Sequence, residues 1–113
     1  MSHRIQQVNE VIRQELNTIM LTEVEFPSGC LVTIVNADTS KDLRHSKIWL
    51  SVMPTYYIPK VLEKLKKNKG HLEYLLHGRL EMKPLPKLSF GIDETEKKAQ
   101  EIEELLDSIK ENG

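Results

Sequence analysis

Cysteine and long apolar runs are both scarce in this chain of 113 residues, and each scarcity excludes a class of protein. The one cysteine, Cys30, allows no disulfide within the chain, so a fold held by internal disulfides is excluded. No apolar run approaches the roughly 20 residues that a membrane-spanning helix needs, and the opening segment has no apolar signal-peptide core. The sequence therefore predicts a cytoplasmic protein with no membrane partner, folded as a single domain over residues 1–113.

Patterns that indicate catalysis or metal binding are also missing. The four histidines are scattered, and none lies at metal-ligand spacing from Cys30 or from a carboxylate. No Ser-His-Asp, Cys-His or paired-carboxylate arrangement can be argued from the spacing. The sequence therefore predicts no metal, no cofactor, no small-molecule substrate and no catalytic residue, which favours a binding protein over an enzyme.

Charge is divided unevenly along the chain, although the formal net charge is only −1. Residues 1–92 carry 13 Lys and Arg against 9 Asp and Glu, whereas residues 93–113 carry 3 against 8. The stretch 60–87 alone holds 8 basic and 3 acidic residues. A basic body of this kind suits a protein that meets phosphate on one face. The other interpretation is a lysine-rich helix surface that is simply solvated.

Apolar periodicity predicts the elements of the first half of the chain. Apolar residues recur every three or four positions over Ile5–Leu21, which predicts an amphipathic helix. Two β-rich runs follow, Leu31–Asn36 and Ile48–Met53, and the polar connector between them suits an antiparallel hairpin. Alternation along the second run places Trp49 on the face opposite to its apolar neighbours.

The second half of the chain predicts two helices, a third strand and a final helix. Pro59 suits the first turn of a basic helix, which ends at a break over Asn68-Lys69-Gly70 before a leucine stripe continues as the next helix. Alternation over Leu88–Asp93 predicts the third strand, and Asp93 can cap a last helix over Glu94–Lys110. The predicted fold is α+β, with a three-stranded sheet packed against helices on one face.

Cations gather around the predicted break between the two helices. Lys64, Lys66 and Lys67 crowd the end of the first helix, and the free N–H groups of a helix beginning at Gly70 could receive a phosphate. A helix–break–helix with cations at the break resembles a K-homology RNA-binding module. The candidate RNA-binding residues are Lys64, Lys66, Lys67, Asn68, Lys69, Gly70, His71, Arg79, Lys83, Lys87, Arg44 and Lys47. For the cations of the strands, protection of a sheet edge is the alternative role.

The ordered motifs resemble the ribosome-binding factor A family over nearly the whole chain. RIQQVNEVIRQELNTIM resembles its first helix, LVTIVNADTSKDLRHSKIWLSV its hairpin, and KPLPKLSFGIDET the segment that leads into its last helix. The family is known for a type II K-homology fold, here α-β-β-α-(kink)-α-β-α, in which an Ala-x-Gly kink replaces the usual GxxG loop. Lys69 and Gly70 match that kink, whereas Asn68 stands where alanine is expected. Asparagine caps helices well and tolerates a left-handed backbone.

The resemblance also implies a function. Members of this family are non-catalytic assembly factors that bind the small (30S) ribosomal subunit, assist late maturation of its 16S ribosomal RNA and matter for growth in the cold. The implied partners are therefore the small subunit and its 16S rRNA. The chain is expected to be monomeric when free. The alternative is a protein-interaction adaptor that uses the open sheet face around Trp49 and the acidic C-terminal helix.

Overall fold

The protein is described by a computed structural model over residues 2–81 and 85–93. In this range the elements are helix α1 (Ser2–Glu23), strands β1 (Leu31–Thr39) and β2 (His45–Met53), a short 3₁₀ helix (Thr55–Tyr57), helix α2 (Ile58–Arg79) and strand β3 (Lys87–Ile92). No helix among these residues combines the length and the apolar character that crossing a membrane requires.

The three strands form one sheet in the order β1-β2-β3, with β2 in the centre. β1 and β2 pair antiparallel, and β3 returns parallel to β2 after α2 has crossed the sheet. Both hairpin strands extend further than the sequence predicts, so the connector shortens to residues 40–44. A bulge between Ile34 and Asn36 inserts Val35, which lets two residues of β1 face one residue of β2 at Trp49.

The core lies between the sheet and the two helices, which cover one of its faces. α1 and α2 each present an apolar stripe at three-to-four spacing, and β2 buries every second residue. The largest fully buried side chains include Ile12, Leu16, Ile19, Ile34, Ile48, Leu50, Leu65, Leu72, Leu76 and Leu88. Trp49 alternates with buried neighbours and therefore points away from the helices. The predicted α+β architecture and the outward position of Trp49 are both confirmed.

Polar side chains of the helices hold both edge strands of the sheet. Asn17 of α1 pairs with the backbone of Ile34, accepting from its N–H at 3.0 Å and donating to its carbonyl at 3.2 Å. Asn9 accepts from the Thr39 N–H at 3.0 Å. On the other edge, a carboxylate oxygen of Glu73 on α2 accepts from the Leu88 N–H at 2.7 Å. Because unpaired edge groups invite another chain, these contacts close the sheet at those points.

The predicted break within the helix pair is absent. α2 is one uninterrupted helix of 22 residues, Gly70 has no positive φ, and the Asn68 side chain donates to the Lys64 carbonyl one turn earlier instead of capping a new helix. The predicted division of this segment into two helices was wrong, because the apolar residues before and after Gly70 lie on the same face of one continuous helix. Leu65 and Leu72 are two helical turns apart, and burying both outweighs the cost of about 1 kcal/mol for a mid-helix glycine.

The predicted last helix, Glu94–Lys110, lies outside the described residues, and so does Lys83.

Candidate nucleic-acid interface

The side of α2 that faces away from the sheet carries a basic, solvent-exposed surface. Burial of the apolar stripe fixes the rotation of the helix, so residues between the buried positions face solvent. The α2 surface, as we define it, consists of Lys66, Lys67, Gly70, His71 and Tyr74, all of which are exposed. Within residues 2–81 and 85–93, neither Lys66 nor Lys67 makes a hydrogen bond or an ion pair. Both ammonium groups are thus available to an anionic partner.

Other α2 residues in the predicted set hold the fold together. Lys64 donates to the Glu25 carbonyl at 2.7 Å and ties α2 to the loop after α1. Arg79 bonds a Glu15 carboxylate oxygen at 2.9 Å and links the two helices. Lys69 is half-buried, and because a helix turns about 100° per residue it lies far round the helix from Lys67. The structure therefore reduces the predicted lysine cluster on α2 to a narrower surface.

His71 lies at the edge of the α2 surface, next to α1. Its Nε2 atom is 3.8 Å from a carboxylate oxygen of Glu23 at the end of α1. The pair is largely exposed, so it contributes little to stability. It does place one carboxylate beside the lysines, which limits the basic surface on that side.

Three other predicted cations, Arg44, Lys47 and Lys87, lie together on a second surface at the hairpin end of the sheet. The Lys87 N–H donates to the Arg44 carbonyl at 2.9 Å, which brings the start of β3 against the hairpin. The Lys47 ammonium lies 5.3 Å from the centre of the Trp49 ring, a cation–π distance. Lys47 and Lys87 neighbour buried residues in their strands and so lie on the outer face of the sheet. The predicted set is therefore divided: Lys66, Lys67, Gly70 and His71 belong to the α2 surface, and Arg44, Lys47 and Lys87 belong to this second surface.

The turn that carries Arg44 is held by Asp42. Its carboxylate accepts hydrogen bonds from the Ser40 hydroxyl at 2.6 Å and the Arg44 N–H at 3.0 Å. These bonds, the one from Ser40 foremost, hold the pKa of Asp42 below its usual value. Leu43 takes a positive φ of 62° in this turn while its side chain is buried. Asp42 therefore fixes the backbone from which Arg44 projects.

Tyr74 is the exposed aromatic residue that sequence reasoning missed. Its side chain is 75% exposed on the α2 surface, four residues after Gly70 and seven after Lys67. The sequence did contain a signal for this position, because a tyrosine four residues after Gly70 and seven after Lys67 shares their polar face of a continuous helix. The predicted break at Gly70 hid this relation by placing Tyr74 and Lys67 on different helices.

The described residues hold no cluster suited to a metal ion. No group of three or more His, Cys, Asp or Glu residues in 2–81 and 85–93 could hold a metal ion. A concavity of about 800 Å³ lies between the start of α1 and the hairpin, and Asp38 is the one carboxylate among the described residues that line it. Burial raises the pKa of the Cys30 thiol, which disfavours the nucleophilic thiolate.

The described residues form an α+β domain in which two helices cover one face of a three-stranded sheet, and α2 carries an exposed basic face. Comparison with known proteins identifies the family. The model of the family "Ribosome-binding factor A" matches residues 4–106, and the chain belongs to this family.

Individual relatives agree with this assignment. The chain is 31% identical over 112 residues to ribosome-binding factor A of Akkermansia muciniphila, covering 99% of this chain and 89% of that protein. The crystal structure of ribosome-binding factor A from Thermus thermophilus is similar in fold, with a TM-score of 0.59, 20% identity, and coverage of 80% of this chain and 93% of that one.

A second set of coordinates is similar in fold at a comparable level. It is a homology model of the Thermus thermophilus ribosome binding factor A, fitted into an electron cryo-microscopy map of a complex of that protein with the 30S subunit. Its TM-score is 0.60 and its identity 22%, with coverage of 72% of this chain and 86% of that one.

Proposed function

We propose that this protein is a non-catalytic assembly factor that binds the small ribosomal subunit through the α2 surface. The observation that carries the proposal is the pair of exposed lysines, Lys66 and Lys67, which have no partner among the described residues and lie on one helix face of a chain that belongs to the ribosome-binding factor A family. The Thermus thermophilus relative in a 30S complex supports the small subunit as the partner.

The proposed role is late maturation of 16S ribosomal RNA in the cytoplasm, with importance for growth in the cold. Family membership supports this role. The chemistry expected of the α2 surface agrees with it, because lysines that neutralise phosphates release counterions and bind reversibly in a salt-dependent way. Such contacts hold an RNA conformation and let it go without breaking a bond. We propose accordingly that the protein is not an enzyme.

The test is co-sedimentation with purified bacterial small subunits over a range of salt concentrations. We expect Lys66→Glu/Lys67→Glu to lose binding, because two cations that meet phosphate become two repelled anions. Each lost phosphate contact should also lower the slope of log affinity against log salt by roughly 0.7 to 0.9. Both side chains are exposed, so circular dichroism should show that the variant remains folded.

A matched control carries the same change of charge on the opposite surface. Arg44→Glu/Lys87→Glu alters net charge equally but touches the hairpin end of the sheet. We expect it to reduce binding much less than the α2 variant does. If the control abolished sedimentation while the α2 variant still bound, the hairpin surface would be the docking site and the α2 proposal would be wrong.

A second candidate function is a protein-interaction adaptor, which the outer face of the sheet favours. Leu31 is 65% exposed and Met53 40% exposed, and the two pair directly across β1 and β2. An exposed apolar pair suits a protein partner better than it suits RNA. Binding through this face would be insensitive to salt and to the α2 variant, and Leu31→Ser/Met53→Ser would abolish it. The acidic C-terminal helix expected for this function lies outside the described residues.

A further inference from the structure

Tyr74 is placed on the α2 surface with nothing in the described chain to hold it there. Its side chain is 75% exposed, and its hydroxyl makes no hydrogen bond to any residue in 2–81 and 85–93. It contributes nothing to the buried stripe of α2, which is formed by Val61, Leu65, Leu72 and Leu76. The fold therefore gives no account of an aromatic ring at this position.

Glycines flank Tyr74 one helical turn away on each side. Gly70 precedes it by four residues and Gly78 follows it by four, and both are exposed within α2. Neither has a positive φ, and a Cβ added to either would meet no atom within 4 Å. Alanine would therefore fit at both positions and would favour the helix. Folding therefore requires neither these glycines nor the exposed ring of Tyr74.

The glycines leave the faces of the Tyr74 ring open. A helical side chain leans towards the N-terminus and covers the preceding turn. A larger residue at position 78 would therefore lean back over the ring, and one at position 70 would stand where the ring itself leans. With glycine at both positions, a flat group can lie against the ring and a polymer backbone can approach the helix closely.

The chemistry around the ring favours RNA over an apolar partner. Lys67 lies two turns before Tyr74 on the same face, with Lys66 beside it and His71 one turn before. Unpaired bases stack on exposed aromatic rings, and neighbouring lysines attract the phosphates of the same strand. No large apolar side chain on α2 is exposed beside Tyr74, as a protein-docking helix would require.

We propose that Tyr74 stacks against an unpaired nucleobase of the RNA whose phosphates meet Lys66 and Lys67, while Gly70 and Gly78 give that strand access to the ring. This inference rests on the proposed function, because it names the part of the RNA, an unpaired base, that the α2 surface would bind. It adds a single-stranded or flipped-out base to contacts that would otherwise be made to phosphates alone.

The first experiment compares Tyr74→Ala and Tyr74→Phe with Tyr56→Ala in binding to purified bacterial small subunits. Tyr56 is 73% exposed on the 3₁₀ helix, so it is a matched exposed tyrosine away from the α2 surface. We expect Tyr74→Ala to weaken binding roughly 5-fold to 150-fold and to leave the salt slope unchanged, because stacking is lost and no phosphate contact is. Tyr74→Phe, which keeps the ring, and Tyr56→Ala should bind like the unaltered protein.

The second experiment places a photo-reactive benzophenone amino acid at position 74, with position 56 as the control, and irradiates the small-subunit complex. We expect position 74 to cross-link to ribosomal RNA and position 56 not to do so. Equal binding by Tyr74→Ala, an equal loss in Tyr74→Phe, or cross-links from position 74 to ribosomal proteins alone would overturn the stacking inference. If the stacking inference failed but Lys66→Glu/Lys67→Glu lost binding in the same assay, the proposed function would still stand. If the lysine variant also bound normally, both the stacking inference and the proposed binding through the α2 surface would be wrong.

Discussion

At the scale of single residues, the asparagines of α1 do more for the fold than their positions in the sequence suggest. Asn9 and Asn17 lie within an amphipathic pattern where a polar residue normally faces solvent. In the structure they meet the outer edge of β1, and Asn17 pairs with both backbone groups of Ile34 beside the bulge. Sequence reasoning located the helix and the strand, but a contact between residues 17 apart depends on the angle at which the helix crosses the sheet.

We expect Asn17→Ala to destabilise the protein by about 1–3 kcal/mol, because it leaves the Ile34 N–H and carbonyl without partners in a part-buried place. Thermal and urea unfolding measure the loss. Gln14→Ala is the control on the same helix, since Gln14 is exposed and, among the described residues, its side-chain amide bonds only Glu10. It should change stability by less than about 0.5 kcal/mol. Equal stability of the two variants would contradict a structural role for Asn17.

At the scale of elements, the sequence predicted strands and α1 well and misjudged α2. Alternation located β2 and β3 within a few residues because one face of each strand is buried. In α2, Asn68 and Gly70 are local signals for a helix end, and they were overridden by burial of leucines on both sides. The error also affected the candidate site, since the basic surface is the side of a continuous helix and does not offer the free N–H groups of a helix start.

Gly70→Ala is expected to stabilise α2 by about 1 kcal/mol, because the position is helical and a Cβ there meets nothing within 4 Å. Gly29→Ala is the control with the opposite expectation. Gly29 has a φ of 82°, where alanine is strained by about 1–2 kcal/mol. Unfolding midpoints in urea distinguish the two. A loss of stability in Gly70→Ala would mean that α2 does not accept an ordinary helical residue at position 70.

At the scale of the whole molecule, the fold separates a basic helical face from an open sheet face. α1 and α2 cover the inner face of the sheet, and their polar side chains hold the outer edges of β1 and β3. The α2 surface then points away from the sheet on one side, and Trp49 with its neighbours faces away on the other. The surface proposed to bind RNA and the open sheet face therefore lie on different sides of the molecule, so a variant can alter one without altering the other.

We expect the protein to be monomeric when free, because helix side chains occupy backbone groups of Ile34, Thr39 and Leu88 at the edges where a second sheet would otherwise pair. Sedimentation velocity over a wide range of protein concentration tests this state. Glu73→Ala frees the Leu88 N–H on the edge of β3, and it should lower stability and increase self-association. Glu63→Ala on the same helix removes an exposed carboxylate that bonds no described residue, and it should do neither. A stable dimer of the unaltered chain that disappears in Trp49→Ala would contradict the monomer, because the open sheet face would then be a protein interface, as the adaptor function requires.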